Sequence, residues 1–294
     1  MAIACAREER GGQSRRTFAP IGRLLTGLML LGLTLSNPVL AQTPAELFSV
    51  HAKGSTATVD HAAWDQLLKT FVVPGADGIN RVDYSGFKKD GHARLKAYIK
   101  ALESSDVAAL DRPEQFAFWA NLYNAKTIDI VLDKYPVKSI KDIRLGGGVI
   151  AAVTGGPWKA KVLNIGGHDV SLDDIEHGLL RPLFKDPRVH YAVNCASIGC
   201  PNLGTEAFTG AKLDAQLEAG AKAYVNSARG ASVKDGSLVA SSIYSWFQDD
   251  FGGTEEGVIA HLKHYANGAL KSKLESITGI DDFVYDWSIN DVKQ

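Results

Sequence analysis

The chain has 294 residues, with 32 basic and 33 acidic side chains and three cysteines. A chain so close to neutrality lacks the electrostatic footprint of a protein that binds nucleic acid or an anionic membrane surface. Only Cys195 and Cys200 lie beyond the N-terminal region, which is too few for a disulfide scaffold. A chain of this length buries its own core, so the two thiols require a separate explanation.

The first 41 residues predict an export signal. Five arginines precede a leucine-rich stretch at 24–35, and a small-residue pattern ends at Ala41, which together are what a signal peptidase reads. The apolar stretch is shorter than the roughly 20 residues that cross a membrane, which argues against a retained anchor. Arg15-Arg16 is typical of a twin-arginine signal, and the general secretory route fits equally well. We expect a periplasmic or secreted protein with 27 basic and 31 acidic side chains.

Residues 42–294 predict a single α+β domain, because long helices come first and hairpins follow. Predicted helices cover much of 43–71, then 91–102, 113–134, 171–180, 242–250 and 254–267. Predicted strands cover 81–84, 189–195 and 283–287, and two hairpins turn at Gly166-Gly167 and Asp235-Gly236. Ser171 and Asp174 form a capping-box pattern at the start of helix 171–180. We expect the N-terminal helices to pack on a mainly antiparallel sheet.

Helix 171–180 carries a carboxylate on its apolar face. A rotation of about 100° per residue places Glu176 about 40° from Leu172, among apolar side chains, and His177 on the polar flank. A buried carboxylate needs a partner, because an unpaired buried charge is very costly. Two interpretations stay open: Glu176 forms a structural salt bridge with an arginine or lysine, or it orients a catalytic group.

Cys195 ends predicted strand 189–195, where the chain enters a turn of small residues. Such a turn suits a nucleophile, because it exposes the sulfur and leaves backbone N–H groups, near Ala196 and Ser197, to hold an oxyanion. The thiol also needs a base. His190 points to the opposite strand face, roughly 16 Å away along an extended chain. His177 is free of that objection, so we predict it as the base.

Two other interpretations of the cysteines stay open. Cys195 and Cys200 are close enough in sequence for a disulfide, which an oxidising compartment permits. They are also compatible with a metal site completed by His177 or His190, although the spacing of the two cysteines is a weak metal signal. Spacing alone does not choose among nucleophile, disulfide and metal ligand.

Four further side chains are predicted to bind substrate. Asn121 and Asn124 share one face of an aromatic-rich helix, where they either bind a ligand or form a buried amide network. Trp158 follows a glycine-rich turn that presents its ring, as a ligand contact or as a lid over the core. Ser197 lies beside the predicted nucleophile.

At these residues the chain resembles the domain-of-unknown-function family numbered 547. The matching stretches are AFWANLYNAKTI (117–128), YPVKSI (135–140), SLDDIEHGLLR (171–181), DPRVHYAVNCASIGCP (186–201) and YDWSIN (285–290). The resemblance implies that the characteristic motifs hold Asn121, Asn124, Glu176, His177, His190, Cys195, Ser197 and Cys200. It implies no assigned activity and no single partner.

The layout is also loosely similar to papain-like and transglutaminase-like enzymes, although here His177 precedes Cys195 along the chain, which requires a permuted arrangement. We therefore predict a thiol-dependent hydrolase or acyl transferase with Cys195 as nucleophile, His177 as base and Glu176 or Asn121 as the orienting group. The expected partner is a small-molecule or peptide ligand, without cofactor or metal. The alternative is a non-catalytic envelope binding protein with a Cys195–Cys200 disulfide.

Overall fold

The computed structural model of the chain describes residues 42–145 and 156–293. Thr43–Gln294 forms one compact unit. The predicted signal, residues 1–41, lies outside the described residues. Of the helices that are described, none has both the length and the apolar character to cross a membrane.

The first part of the unit is helical. Its α-helices are Pro44–Leu47, Ala62–Phe71, Tyr84–Asp90, His92–Glu103 and Arg112–Lys134. Asp111 caps the last of these by accepting the Glu114 N–H, and a proline stands in the first turn. The predicted helices 91–102 and 113–134 are thus confirmed to within one residue. The helices Tyr84–Asp90 and His92–Glu103 pack against Arg112–Lys134, which is buried along most of its length.

The strands form three small sheets instead of one. Antiparallel pairs join β1 (Val72–Pro74) to β2 (Asn80–Val82) and β3 (Leu163–Ile165) to β4 (His168–Val170). The third sheet contains β5 (Ala231–Lys234), β6 (Ser237–Ser241) and β7 (Asp282–Val284), with β7 parallel to β6. The α+β class and both predicted hairpins are confirmed.

The segment between the sheets is helical but irregular. A π-helix, Asp174–Leu180, continues into the α-helix Arg181–Phe184. The predicted capping box is confirmed, because the Asp174 N–H donates to the Ser171 hydroxyl and the Ser171 N–H donates to the Asp174 carboxylate. The remaining α-helices are Val189–Ala192, Leu213–Val225, Ser242–Trp246, Glu255–Tyr265 and Gly268–Leu274.

The predicted strand 189–195 is wrong. Val189–Ala192 is an α-helix, and the chain becomes extended only at Val193. The Asp186 carboxylate accepts the Arg188 N–H, and Pro187 follows it with a backbone angle suited to a first turn. This start signal outweighs the apolar run, which by itself does not distinguish a short strand from a short helix.

Two hydrophobic clusters lie within the unit. The larger is built from the N-terminal helices, the long helix Arg112–Lys134 and the hairpin β3–β4. The smaller covers the β5–β6–β7 sheet together with Leu213–Val225 and Glu255–Tyr265. The helix Val189–Ala192 bridges them, since Val189 belongs to the larger cluster and Tyr191 to the smaller. Cys195 follows this bridging helix directly.

Candidate functional site

Cys195 and Cys200 contact one shared hydroxyl group. The Tyr285 hydroxyl lies 3.1 Å from the sulfur of Cys195 and 3.1 Å from the sulfur of Cys200. The Ser197 hydroxyl lies 3.2 Å from the Cys195 sulfur and 2.9 Å from the Tyr285 hydroxyl. The Cys195 backbone N–H donates to the Cys200 sulfur at 3.0 Å. Both cysteines are free thiols in the structure. We name Cys195, Ser197, Cys200 and Tyr285 the thiol cluster.

The backbone turns sharply after Cys195. Ala196 has a φ of 61°, a left-handed conformation that is uncommon for a residue with a Cβ and that clusters at functional sites. The Asn194 side chain holds the turn, because its oxygen accepts the Ala196 N–H at 2.8 Å and its nitrogen donates to the Pro201 carbonyl at 2.7 Å. The turn leaves Cys195 half-buried and Cys200 only 4% exposed. Reagents therefore reach Cys195 first.

The C-terminal segment fixes this turn from the other side. The Gly199 N–H donates to the Asp286 carbonyl and the Ile198 N–H to the Ser288 carbonyl, both at 2.8 Å. A Cβ at Gly199 would come within 2.8 Å of the Asp286 backbone, so only glycine permits this approach. The pairing brings Tyr285, which is 90 positions from Cys195 in the chain, onto the two sulfurs.

The two thiols have opposite pKa shifts. The hydrogen bond with Cys200, together with burial, raises the pKa of Cys195 well above its usual range. Burial alone would raise the pKa of Cys200 as well, but the hydrogen bonds that it receives from Cys195 and Tyr285 outweigh burial and lower it to about 7. The two thiols titrate as one pair, and the hydrogen bonds to the Cys200 sulfur favour the negative charge on that side of the pair.

Arg229 is the cation beside the buried sulfur. Its guanidinium donates to the carbonyls of Ile198 and Cys200 at 2.9 and 2.6 Å. Burial lowers the pKa of Arg229, whereas the negative charge of a Cys200 thiolate acts against that lowering. The attraction is mutual, so Arg229 favours a thiolate at Cys200.

A second cluster surrounds His190, whose side chain is 1% exposed. Its Nε2 lies 2.7 Å from the Asp250 carboxylate, and its Nδ1 lies 4.0 Å from Glu176. Arg181 donates to Asp250 at 2.5 Å, and the His190 ring stacks on Phe247 at 4.4 Å. The hydrogen bond from His190, followed by that from Arg181, lowers the pKa of Asp250 against the effect of burial. We name these five residues the imidazole cluster.

His177 does not lie at the thiols. Its Nδ1 is 3.4 Å from Arg181, its Nε2 is 4.0 Å from Asp173, and its ring lies 5.5 Å from that of Phe247. None of these contacts involves Cys195. The prediction that His177 acts as the base for Cys195 assumed a regular α-helix packed against a strand, whereas the structure has a π-helix facing the helix Val189–Ala192.

Glu176, a member of the imidazole cluster, has partners that the sequence did not reveal. It lies 4.0 Å from His190, and its carboxylate acts on Tyr123, which is fully buried on the long helix. Burial, then the Glu176 carboxylate and the two thiols, raise the pKa of Tyr123. Tyr123 is therefore influenced by both clusters at once. Glu176 faces His190 and not His177, so its predicted role as the group that orients His177 stays a prediction.

The amides of Asn121 and Asn124 have structural roles. Asn121 exchanges two hydrogen bonds with the backbone of Phe208, at 2.8 and 3.0 Å. Asn124 donates to the Ala192 carbonyl and accepts the Asn194 N–H, both at 2.8 Å. Both side chains are buried and their polar atoms are occupied. The predicted substrate contacts are corrected accordingly: Asn124 positions the segment that leads to Cys195, and Asn121 anchors a loop.

Aromatic rings continue from the thiol cluster toward solvent. Tyr285 lies 4.9 Å from Trp246 and 4.6 Å from Trp287, and Trp158 lies 5.9 Å from Trp287. Trp246 is 37% exposed, and the other three rings are partly buried. Trp158, which was predicted as a substrate contact, is thus connected to Tyr285 of the thiol cluster through the ring of Trp287. We name these four rings the aromatic surface.

Within the part of the chain that the structure describes, neither cysteine belongs to a group of potential metal ligands with a histidine. Among the described residues, His92, Asp129 and Asp133 are the group whose ligand atoms lie close enough for a metal ion. Lys96 and Lys126 already donate to Asp129, at 2.7 and 2.8 Å. These two ammonium groups supply the positive charge that the buried carboxylate needs.

The residues that sequence reasoning missed come from distant parts of the chain. Asp250 belongs to the imidazole cluster, Tyr285 belongs to the thiol cluster, and Arg229 lies beside the thiol cluster. Each is a common residue type. The YDWSIN stretch at 285–290 is the one signal that pointed to Tyr285. No pattern in the sequence pointed to Asp250 or Arg229.

The fold and site define a mixed α+β domain with a paired-thiol centre. Residues 107–225 match the model of a family described as a protein of unknown function, DUF547, and this part of the chain is a DUF547 domain. The matched range includes Tyr123, the π-helix and both cysteines, and it ends before Arg229. A search of curated proteins gave no match, and a search of solved structures gave none either.

Proposed function

We propose that the protein is an exported thiol-dependent hydrolase or acyl transferase in which Cys195 is the nucleophile. The observation that carries this proposal is the placement of the thiol. Cys195 is half-buried at a left-handed turn, with the hydroxyls of Ser197 and Tyr285 at 3.2 and 3.1 Å from its sulfur. Cys195 is the more exposed residue of the pair, and its sulfur is surrounded by hydrogen-bonding hydroxyl groups.

The two hydroxyl groups are the proposed oxyanion donors. The sequence suggested backbone N–H groups for this role, but the Ala196 N–H already donates to Asn194. When the Cys195 sulfur attacks a carbonyl carbon, negative charge develops on the carbonyl oxygen. Ser197 and Tyr285 hydroxyls lie close enough to the sulfur to donate to that oxygen, and a preorganised donor of this kind is worth about 10²–10³ in rate.

An activated ester tests this proposal. Reduced wild-type protein is incubated with p-nitrophenyl acetate, and the acetylated residue is identified by mass spectrometry. We expect acetylation of Cys195 in the folded protein to exceed that in urea-unfolded protein by at least tenfold, and Cys195→Ala to lose it. A folded protein that reacts no faster than the unfolded chain would show that the site does not activate the thiol.

Export is supported by the N-terminal sequence alone. We expect the mature protein recovered from the periplasm or the medium to begin at residue 42. Replacing Arg15 and Arg16 with lysines distinguishes the two routes, because the twin-arginine pathway requires the pair and the general pathway requires only positive charge. Recovery of the full-length chain in the cytoplasmic fraction would contradict export.

One observation favours a second candidate. Both sulfurs contact the same Tyr285 hydroxyl, so Cys195 and Cys200 lie in one small site, as a structural disulfide in a non-catalytic binding protein would require. Protein purified without reductant would then show no alkylation by iodoacetamide until reductant is added. Immediate alkylation of Cys195 would exclude this candidate.

A further inference from the structure

The proposed nucleophile lacks the base that its sequence predicts. Among the described residues, no imidazole contacts the Cys195 sulfur, and the groups that do contact it are hydroxyls and the second thiol. Hydroxyl groups of serine and tyrosine are poor proton acceptors near neutral pH. The Cys200 sulfur is the remaining acceptor.

Resting on the proposed function, we propose that Cys200 is the proton acceptor for Cys195, a catalytic residue that works as a thiolate. Two donors converge on its sulfur: the Cys195 backbone N–H at 3.0 Å and the Tyr285 hydroxyl at 3.1 Å. Each of these hydrogen bonds favours the charged form of Cys200 over the neutral form.

The surroundings of Cys200 suit a base and do not suit a second nucleophile. Its side chain is 4% exposed, so a substrate reaches Cys195 and not Cys200. Arg229 is the nearest positive charge, and it donates to the Cys200 carbonyl. The other titratable groups that face the pair are the buried phenols Tyr84, Tyr123 and Tyr224 and the partly buried phenol Tyr285. Desolvation raises the pKa of all four, so they stay protonated. A base whose pKa lies near the working pH is the most effective one.

These residues account for every bond and proton in the proposed acyl transfer. The Cys195 sulfur forms a bond to the carbonyl carbon, the carbonyl π-electrons move to oxygen, and the Cys195 proton passes to the Cys200 sulfur. The tetrahedral intermediate then expels the leaving group, which takes the proton from Cys200 through the Tyr285 hydroxyl. In the second half, water or an acceptor amine attacks the thioester carbon and passes its proton through the Tyr285 hydroxyl to the Cys200 sulfur. The carbonyl re-forms as the carbon–sulfur bond to Cys195 breaks, the acyl product leaves, and the Cys195 sulfur takes the proton back from Cys200.

The pH dependence of alkylation tests the role of Cys200 without any substrate. Reduced protein, with the reductant removed, is treated with iodoacetamide from pH 5 to pH 9, and Cys195 labelling is followed by mass spectrometry. We expect a midpoint near 7 for the wild type, set by the pair. In Cys200→Ser we expect it to rise to about 8.5, the value of an ordinary thiol. Tyr285→Phe removes one donor and should give a smaller rise.

Two controls keep the outcome decisive. The first control is circular dichroism and thermal unfolding of each variant, which show that it is folded. The second is Cys195→Ser, which removes the other thiol of the pair. In this variant the thiolate absorbance of Cys200 should also lose its step near pH 7. A midpoint that stays near 7 in folded Cys200→Ser would overturn the role of Cys200. That result would leave acetylation of Cys195 by the activated ester intact, so the two proposals fail separately.

Discussion

Asp250 is predicted to stabilise the junction between the two hydrophobic clusters. It accepts charge-assisted hydrogen bonds from His190 at 2.7 Å and from Arg181 at 2.5 Å, and its side chain is 25% exposed. Asp250→Asn keeps the shape and one acceptor but removes the charge. A hydrogen bond to a charged group is worth about 1.5–3 kcal/mol, so we expect the free energy of unfolding to fall by about 2–3 kcal/mol at pH 7. In a protein of this size that corresponds to a fall in Tm of roughly 5–10 °C.

The pH dependence of this loss is fixed by the direction of the pKa shift. The pKa of Asp250 is depressed in the folded state, chiefly by His190, so its stabilisation is complete above the unfolded value of about 3.9. The stabilisation disappears as the pH falls from there toward the folded pKa. The difference in stability between wild type and Asp250→Asn should therefore be full at pH 7 and narrow below about pH 4.

The exposed neighbour Asp249 provides a matched control, because Asp249→Asn makes the same chemical change on the same turn. We expect its effect to stay within about 0.5 kcal/mol, as for most surface substitutions. Urea unfolding of the three proteins, followed by circular dichroism at pH 7 and at pH 3.5, measures both quantities. Equal stability of the two variants at pH 7 would refute the reasoning. So would a difference in stability between wild type and Asp250→Asn that does not narrow at pH 3.5.

Three further changes test individual contacts. Asn124→Ala leaves the Ala192 carbonyl and a buried N–H without partners, so we expect a loss of about 3 kcal/mol in urea unfolding, and an unchanged stability would contradict the structural role. Gly156→Ala adds a Cβ 1.9 Å from the Trp158 ring at a φ of 84°, so Tm should fall and tryptophan fluorescence should shift; a wild-type Tm would argue against that contact. His177→Ala should leave the alkylation midpoint of Cys195 near 7, whereas a rise would restore His177 as the base.

Local chemistry in the sequence was enough to predict several elements. The capping box at Ser171, the glycine turns of both hairpins and the proline at the start of helix Arg112–Lys134 act within a few residues of themselves. Each specifies a backbone conformation whatever lies around it, so the predictions there hold. The thiol pair was also visible, because both cysteines lie in one short turn.

The partners of the site were not predictable in this way. His190 meets Asp250 across 60 positions and Cys195 meets Tyr285 across 90, so neither pair leaves a spacing pattern. The wrong strand prediction for residues 189–195 had a further consequence. A strand would place the His190 side chain on the face opposite Cys195, and for that reason His177 was predicted as the base. A single wrong secondary-structure assignment therefore changed the predicted catalytic pair.

The two clusters meet at neighbouring residues of one turn. Trp246 contacts Tyr285 of the thiol cluster, and Phe247, the next residue, stacks on His190. This arrangement allows two roles for the imidazole cluster: it supports the turn mechanically, or it is coupled electrostatically to the thiols through Glu176 and Tyr123. The variant Asp250→Asn distinguishes these two roles. If the role is mechanical, the variant loses stability while the alkylation midpoint of Cys195 stays near 7. If the clusters are coupled electrostatically, the stability and the alkylation midpoint change together, because removing the charge of Asp250 then also acts on the thiol pair.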